Sequence, residues 1–284
     1  MNLTVALAQI DPALGDVKKN IDLHIRMGRK AIDGGAQLVV FPELSLTGYS
    51  VKDMNLGLAI RPSQPPDVLT PLLELSKEIS ILAGGIEEDA SFRIHNAAFL
   101  LEAGSIRTVH RKVYPPTYGM FEELRYFSPG TSVEVVHSRV GTFGVLICED
   151  LWHLPLPYLL AEQGAQVIIA MVASPTRVTG SGSTLAIAEA NGENHRTYAR
   201  LLSCYMIFCN RVGFEDGLNF WGASSIVSPT GSIIAEGKQL EEDLVLGTIS
   251  DNEIRRARQS SRHFLDDDPR MVLRELEKLV RKPS

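Results

Sequence analysis

The chain has 284 residues, enough for a large buried core, with 44% hydrophobic and 22% charged residues and a formal net charge of -6. That balance is ordinary for a globular protein and gives no electrostatic reason to expect nucleic acid or an anionic membrane as partner. Three cysteines, at 148, 204 and 209, are odd in number and form no CxxC, which speaks against a disulfide framework or a cysteine-built zinc site. The first ten residues carry no basic leader and no apolar run nears the roughly 18 residues that span a bilayer, so a cytoplasmic protein is expected.

LTVALAQI at 3–10 reads as a strand, and Asp16 as the N-cap of a helix over 17–32 that ends at Gly34 and Gly35. A second strand, 38–41, runs into the polar PELSLTGY. A helix over 67–80 leads to a strand at 81–86; strands at 96–102 and 106–113 follow, then the Pro- and Gly-rich YPPTYGMFEELRYFSPG loop. Next come a strand at 140–147, a helix over 154–163, a strand at 167–172, the loop SPTRVTGSGS, a long helix over 184–203 and a strand at 205–210. RVGFEDGLNFWG follows, and segments 224–228, 231–236 and 244–249 alternate like a meander. Asp251 is placed as the cap of a helix through 258, and a last amphipathic helix occupies 269–280. No repeat or linker divides residues 1–284, so a single domain is expected. Strands and helices alternate early and hairpins come late, which describes an α/β fold of one large mixed sheet or two packed sheets flanked by helices.

Three polar loops follow apolar strands, PEL after LVVF, the loop after VHRK and CED after FGVLI, and a chemically capable residue stands at each strand end: Glu43, Lys112 and Cys148. Loops held by rigid strands are where catalytic residues gather. Each of the three alone has a plain structural reading: Cys148 as core, Glu43 as a turn acid, Lys112 as a solvated lysine beside Arg111. Together they permit narrow chemistry. A thiol of pKa ~8.5 needs a base or a cation to become a nucleophile. A carboxylate can take its proton and return it to a leaving amine, and an ammonium in a dry site can hold an oxyanion together with a backbone N–H. These functions suffice to hydrolyse a non-peptide C–N bond through a thioester. Cys204 and Cys209 read as core, and the seven histidines show no HxH or HxxxH spacing, so no metal site is expected. TGSGS at 179–183 lacks the lysine of a phosphate loop; IRRAR at 254–258 reads as a solvated helix face and DDD at 266–268 as its charge counterpart and a helix cap.

FPELSLTGY, HRKVYPPTYGMFEELRYFSPG and GVLICEDLWH resemble, in order and spacing, the three signature segments of the nitrilase, or carbon-nitrogen hydrolase, superfamily, and NRVGFEDGLNFWGASSIVSPTG is similar to its fourth common segment. The resemblance runs from Leu3 to about Ile249. It implies a four-layer αββα sandwich working without a cofactor, with Glu43 as general base, Lys112 as oxyanion stabiliser, Cys148 as nucleophile and the backbone N–H of Glu149 as second oxyanion donor. The second glutamate often found in the family falls at Glu123, counted back from YFSPG, with Glu122 as the alternative. CEDLWH and YGMFEELRYFSPG are most similar to the glutamine-hydrolysing domain of glutamine-dependent NAD synthetases. That likeness implies a glutamine-like or other carboxylate-bearing small amide as substrate, bound by Glu149, Tyr118, Trp152, Ser174 and Arg177, with Phe121 beside Trp152 in the acyl pocket. The 284 residues carry no SGGxDS nucleotide loop, so NAD synthesis itself is not implied. A glutaminase subunit feeding ammonia to a separate synthetase, and a nitrile or carbamoyl-amine hydrolase, stand as alternatives. The family's habit of assembling through helix faces implies a homodimer or larger even homo-oligomer, with helix 269–280 in the contacts.

Overall fold

In the first strand, β1 (Asn2–Gln9), Leu3, Val5 and Leu7 enter one buried cluster while Ala6 and Ala8 enter another, the two-residue period of a strand covered on both faces. The computed structural model describes residues 2–176 and 186–281. Asp16 accepts a hydrogen bond from the Lys19 amide and so starts helix α1 (Val17–Asp33), which stops at Gly34. Strand β2 (Leu38–Val40), the short helices α2 (Asn55–Leu58) and α3 (Thr70–Leu75), and strands β3 (Ser80–Glu88), β4 (Ile94–Glu102) and β5 (Ser105–Arg111) follow. The next stretch holds β6 (Val136–Ser138), β7 (Gly141–Ile147), α4 (Pro155–Glu162), β8 (Val167–Val172), α5 (Ala186–Leu202) and β9 (Tyr205–Asn210). The chain continues through β10 (Val212–Glu215), β11 (Leu218–Trp221), β12 (Ser225–Val227), β13 (Ile233–Glu236), β14 (Asp243–Ser250), α6 (Asp251–Ser260) and α7 (Pro269–Arg281).

Two six-stranded sheets result, ordered β14-β1-β2-β3-β4-β5 and β13-β12-β9-β8-β7-β6. Each has three parallel strands at its centre, β1 to β3 in one and β7 to β9 in the other, bordered by antiparallel strands. Val5, Leu7, Leu38 and Val40 of the first sheet meet Val145, Ile147, Ile169 and Ile207 of the second in a shared core. The outer face of the first sheet is covered by α1 and α3, that of the second by α4 and α5. This is the four-layer αββα sandwich, and it brings the loops after β2, β5, β7 and β8 to one end.

Several elements differ from the sequence reading. The helix placed over 67–80 is a helical turn at Asp67–Leu69 followed by α3, which ends at Leu75. Ser76 stops it: the hydroxyl bonds back to Leu73 O, and the Gly104 and Ala103 amides of the β4–β5 turn donate to its side chain and carbonyl. RVGFEDGLNFWG, given no element from the sequence, forms the hairpin β10–β11, turning on Asp216 and Gly217, both at positive φ (49° and 81°) as a two-residue hairpin turn requires. The cap of α6 is Ser250, which accepts from the Asn252 amide, rather than Asp251. Within IRRAR, Ile254 and Ala257 are buried and the Arg258 guanidinium lies over the Phe264 ring, which leaves Arg255 and Arg256 on the solvated side. Asp268 accepts from the amides of Arg270 and Met271 at the start of α7, as a cap does. No residue of α7 is buried, and Met271, Leu276, Leu279 and Val280 stand exposed along it. Arg177, TGSGS and Thr184 lie outside the described residues. Among the described residues no helix is long and apolar enough to cross a membrane, and no group of three His, Cys, Asp or Glu could hold a metal ion.

Candidate active site

Cys148 is the first residue past β7 and opens a tight helical turn, Cys148–Trp152. Its φ of 47° is left-handed, a conformation that costs a non-glycine residue about 1–3 kcal/mol and that turns the chain sharply at the strand end. The thiol is partly exposed, on a cavity of about 230 Å³ that it lines together with Tyr118, Phe121, Glu149, Trp152 and Ser174.

Glu43 follows β2 on the facing sheet. The turn that carries it passes so close to β3 that a Cβ at Gly84 would fall on Pro42 O and Leu44 N, so only glycine admits it. Glu43 is 1% exposed. Its Oε1 accepts from Lys112 Nζ and Asn96 Nδ2, both at 2.7 Å, and its Oε2 from the Ala173 amide after β8 at 2.9 Å. Lys112, one residue past β5, has no exposed surface and also donates to Glu123 Oε1 at 2.8 Å. Glu123 accepts a further bond from Tyr49 Oη at 2.7 Å and a long one, 3.5 Å, from Asn96. The ammonium thus bridges two carboxylates, and the Asn96 amide bridges the same two.

The electrostatics follow from burial. By itself burial would strip the proton from Lys112, but Glu123 and Glu43 outweigh it and hold the ammonium well above the ordinary lysine range. One cation faces two anions in a dry place. The excess charge is costly there, and burial pushes Glu123 up to about 7, with Lys112 pulling down and Glu43 pushing up. Burial also raises Cys148 well above an ordinary thiol; Glu43 adds to this, and Lys112 opposes it. Burial and Glu43 thus favour the neutral thiol, while Lys112 favours the thiolate.

The far wall of the cavity is a second polar array. Tyr118 Oη donates to Glu149 Oε2 at 2.9 Å, and His153, stacked on Tyr114 at 3.5 Å between ring centroids, sits 3.8 Å from Glu149 Oε1. The Ser174 amide donates to Asn210 Oδ1 at 2.9 Å, and the buried Trp221 Nε1 donates to Ser174 Oγ at 3.0 Å. Lys112 therefore touches both Glu43 and Glu123, and Cys148, Glu149, Tyr118, Trp152, Ser174 and Phe121 share one cavity. Glu122 is exposed, whereas Glu123 is buried. Sequence reasoning missed Asn96, Tyr49, Asp150, Asn210 and Trp221. Asn96 left a signal, as an amide inside the otherwise apolar strand NAAFLL; the others left none beyond their proximity to the motifs.

Residues 4–259 match the carbon-nitrogen hydrolase family, and the chain belongs to it. It is 35% identical over 247 residues to the glutamine-dependent NAD(+) synthetase of Thermotoga maritima, a match covering 86% of this chain and 41% of that protein. The solved glutamine-dependent NAD+ synthetase of Acinetobacter baumannii superposes with a TM-score of 0.79 at 27% identity, over 89% of this chain and 47% of the other. A carbon-nitrogen hydrolase from Helicobacter pylori G27 shares the fold over 97% of this chain and 98% of its own, with a TM-score of 0.84 at 24% identity. The chain spans less than half the length of the synthetases it matches.

Proposed function

We propose that the chain hydrolyses the C–N bond of a small carboxylate-bearing amide, glutamine or a close analogue, through a thioester on Cys148. The observation that carries this reading is Lys112 Nζ bridging Glu43 and Glu123, both buried, beside a thiol set at a left-handed strand end on an open cavity. In this mechanism Glu43 takes the thiol proton as Cys148 Sγ attacks the amide carbon. Lys112 and the Glu149 amide hold the oxyanion, ammonia leaves with the proton from Glu43, and water deprotonated by Glu43 cleaves the thioester and restores the thiol. Glu123 stays as partner to Lys112 and keeps the ammonium in place. No step calls for a metal or an organic cofactor.

Glutamine is favoured by two further points. The Glu149 carboxylate, held by Tyr118, offers an acceptor for an α-ammonium group inside the cavity, and the named relatives are glutamine-dependent synthetases. Because the named relatives are glutamine-dependent synthetases, a second reading has the released ammonia passed to a synthetase. The test is an ammonia-release screen over glutamine, asparagine, ω-amides, carbamoyl amines and nitriles, with Cys148→Ala and Glu43→Gln proteins as blanks. Glutamine or a carboxylate-bearing ω-amide should be turned over fastest. Release no faster than the blanks for every amide would sink the proposal, and nitriles turned over ahead of amides would replace it. Activity that rises on adding a purified synthetase would favour the second reading.

A further inference from the structure

The groups assigned to the oxyanion and the nucleophile come from different sheets: Lys112 ends an edge strand of one and Cys148 ends β7 of the other. Sheets packed only through apolar side chains can slide by fractions of an ångström, and such shifts are large on the scale of bond-making. Something polar has to fix the spacing. Asp150, with no exposed surface, lies where it can do so. Its Oδ1 accepts from the amides of Val113 at 3.0 Å and Tyr114 at 2.9 Å, the two residues that follow Lys112. Its Oδ2 accepts from the amide of Ile147 at 3.1 Å, the residue that precedes Cys148. One carboxylate thus holds the backbone on the far side of the lysine and on the near side of the cysteine. His110 Nε2, buried and without a hydrogen-bond partner, flanks the same carboxylate at 3.5 Å.

We propose that Asp150 is a positioning residue, a clamp across the two sheets that sets the distance between Lys112 and Cys148. It touches no substrate in this assignment; it rests on the amidase reading given above for its effect on turnover, but not for its effect on the thiol. The opposite end of the sandwich supplies the control. There Glu102, also buried, accepts from Ser80 of one sheet and from Ser138 and the Arg139 amide of the other. Glu102 is a tie of the same kind, far from Cys148, so it reports what a tie contributes to the fold alone.

The experiment compares Asp150→Asn with Glu102→Gln. Asparagine keeps an oxygen for Val113 and Tyr114, turns an N–H group toward the Ile147 amide, and can donate to His110. Expected for Asp150→Asn is a kcat lower by about 100-fold, the cost of a misplacement near 1 Å, with KM within about 3-fold. Alkylation of Cys148 by iodoacetamide at pH 8 should slow by about 10-fold, because Lys112 no longer supports the thiolate at its former distance. Glu102→Gln should lose comparable thermal stability while keeping kcat and alkylation within about 2-fold of wild type. The inference is overturned if Asp150→Asn matches Glu102→Gln in kcat and alkylation, or if both Asp150→Asn and Asp150→Ser fail to fold, which would assign the residue to the fold alone. Should the wild type release no ammonia, the amidase reading fails while the alkylation rates still decide this one.

Discussion

Cys148 and Cys209 stand two strands apart in one sheet, just past β7 and within β9 with β8 between them, and the contrast separates the position proposed as the nucleophile from a packed one. Both thiols are pushed up by burial, so acidity does not distinguish them. Cys209 lies within its strand, wholly buried, its sulfur 3.2 Å from the Val40 carbonyl across the inter-sheet core. Cys148 lies one residue beyond its strand, on a left-handed turn, with a cavity before it and Glu43 and Lys112 acting on it. Position at the strand end and the charges it meets are what differ; the residue type and the direction of the pKa shift are the same.

The largest test of that contrast is deletion of each sulfur. Cys148→Ala should lower ammonia release by at least about 10⁴-fold, while Cys209→Ala should keep kcat within about 2-fold and lose roughly 1–2 kcal/mol of stability, measured by urea unfolding. Comparable activity losses in the two would erase the distinction. Next in size is Lys112→Met. It leaves Glu43 and Glu123 buried without their cation, so a stability loss of about 3–5 kcal/mol should accompany the loss of turnover; a variant as stable as wild type would show that the bridge is not what holds the carboxylates. In the native protein iodoacetamide should modify Cys148 alone, with Cys204, pushed up to about 12, and Cys209 reacting only after unfolding. Because the Cys148 thiol lies above the ordinary range, its alkylation rate should still be climbing at pH 9, where a thiol of pKa ~8.5 is already levelling off. A plateau below pH 8 would contradict this.

The smallest effect concerns Glu123. Its folded value of about 7 lies above the unfolded one, about 4.3, so the folded state holds the proton more tightly. The stabilisation this brings is complete below about pH 4.3 and is lost as pH rises through about 7. Wild-type Tm should therefore fall across that window relative to Glu123→Gln, and parallel Tm profiles would show that Glu123 does not hold the extra proton.

Much of this arrangement was legible in the sequence because it depends on strand ends. The residue after an apolar run marks the mouth of a strand, and Glu43, Lys112 and Cys148 could be read at such mouths without knowing which strands pair. The choice of Glu123 over Glu122 came from spacing within one loop, and the structure places only Glu123 against Lys112. What could not be read is which strands lie near one another within a sheet and which face one another across the two. Asn96 bridges two carboxylates 53 and 27 residues away, and Asp150 reaches amides 36 and 37 residues away. Neither separation leaves a periodic trace. The β10–β11 hairpin escaped for a local reason: its strands have four residues each and its turn, Asp216–Gly217, sits in a run already rich in polar residues.

The left-handed backbone at Cys148 also ranks the residues this turn would accept. A glycine there would relieve a strain of about 1 kcal/mol or more, whereas alanine would keep it. Cys148→Gly should therefore melt above Cys148→Ala. The cysteine at this turn is held there by its surroundings, against the preference of its own backbone.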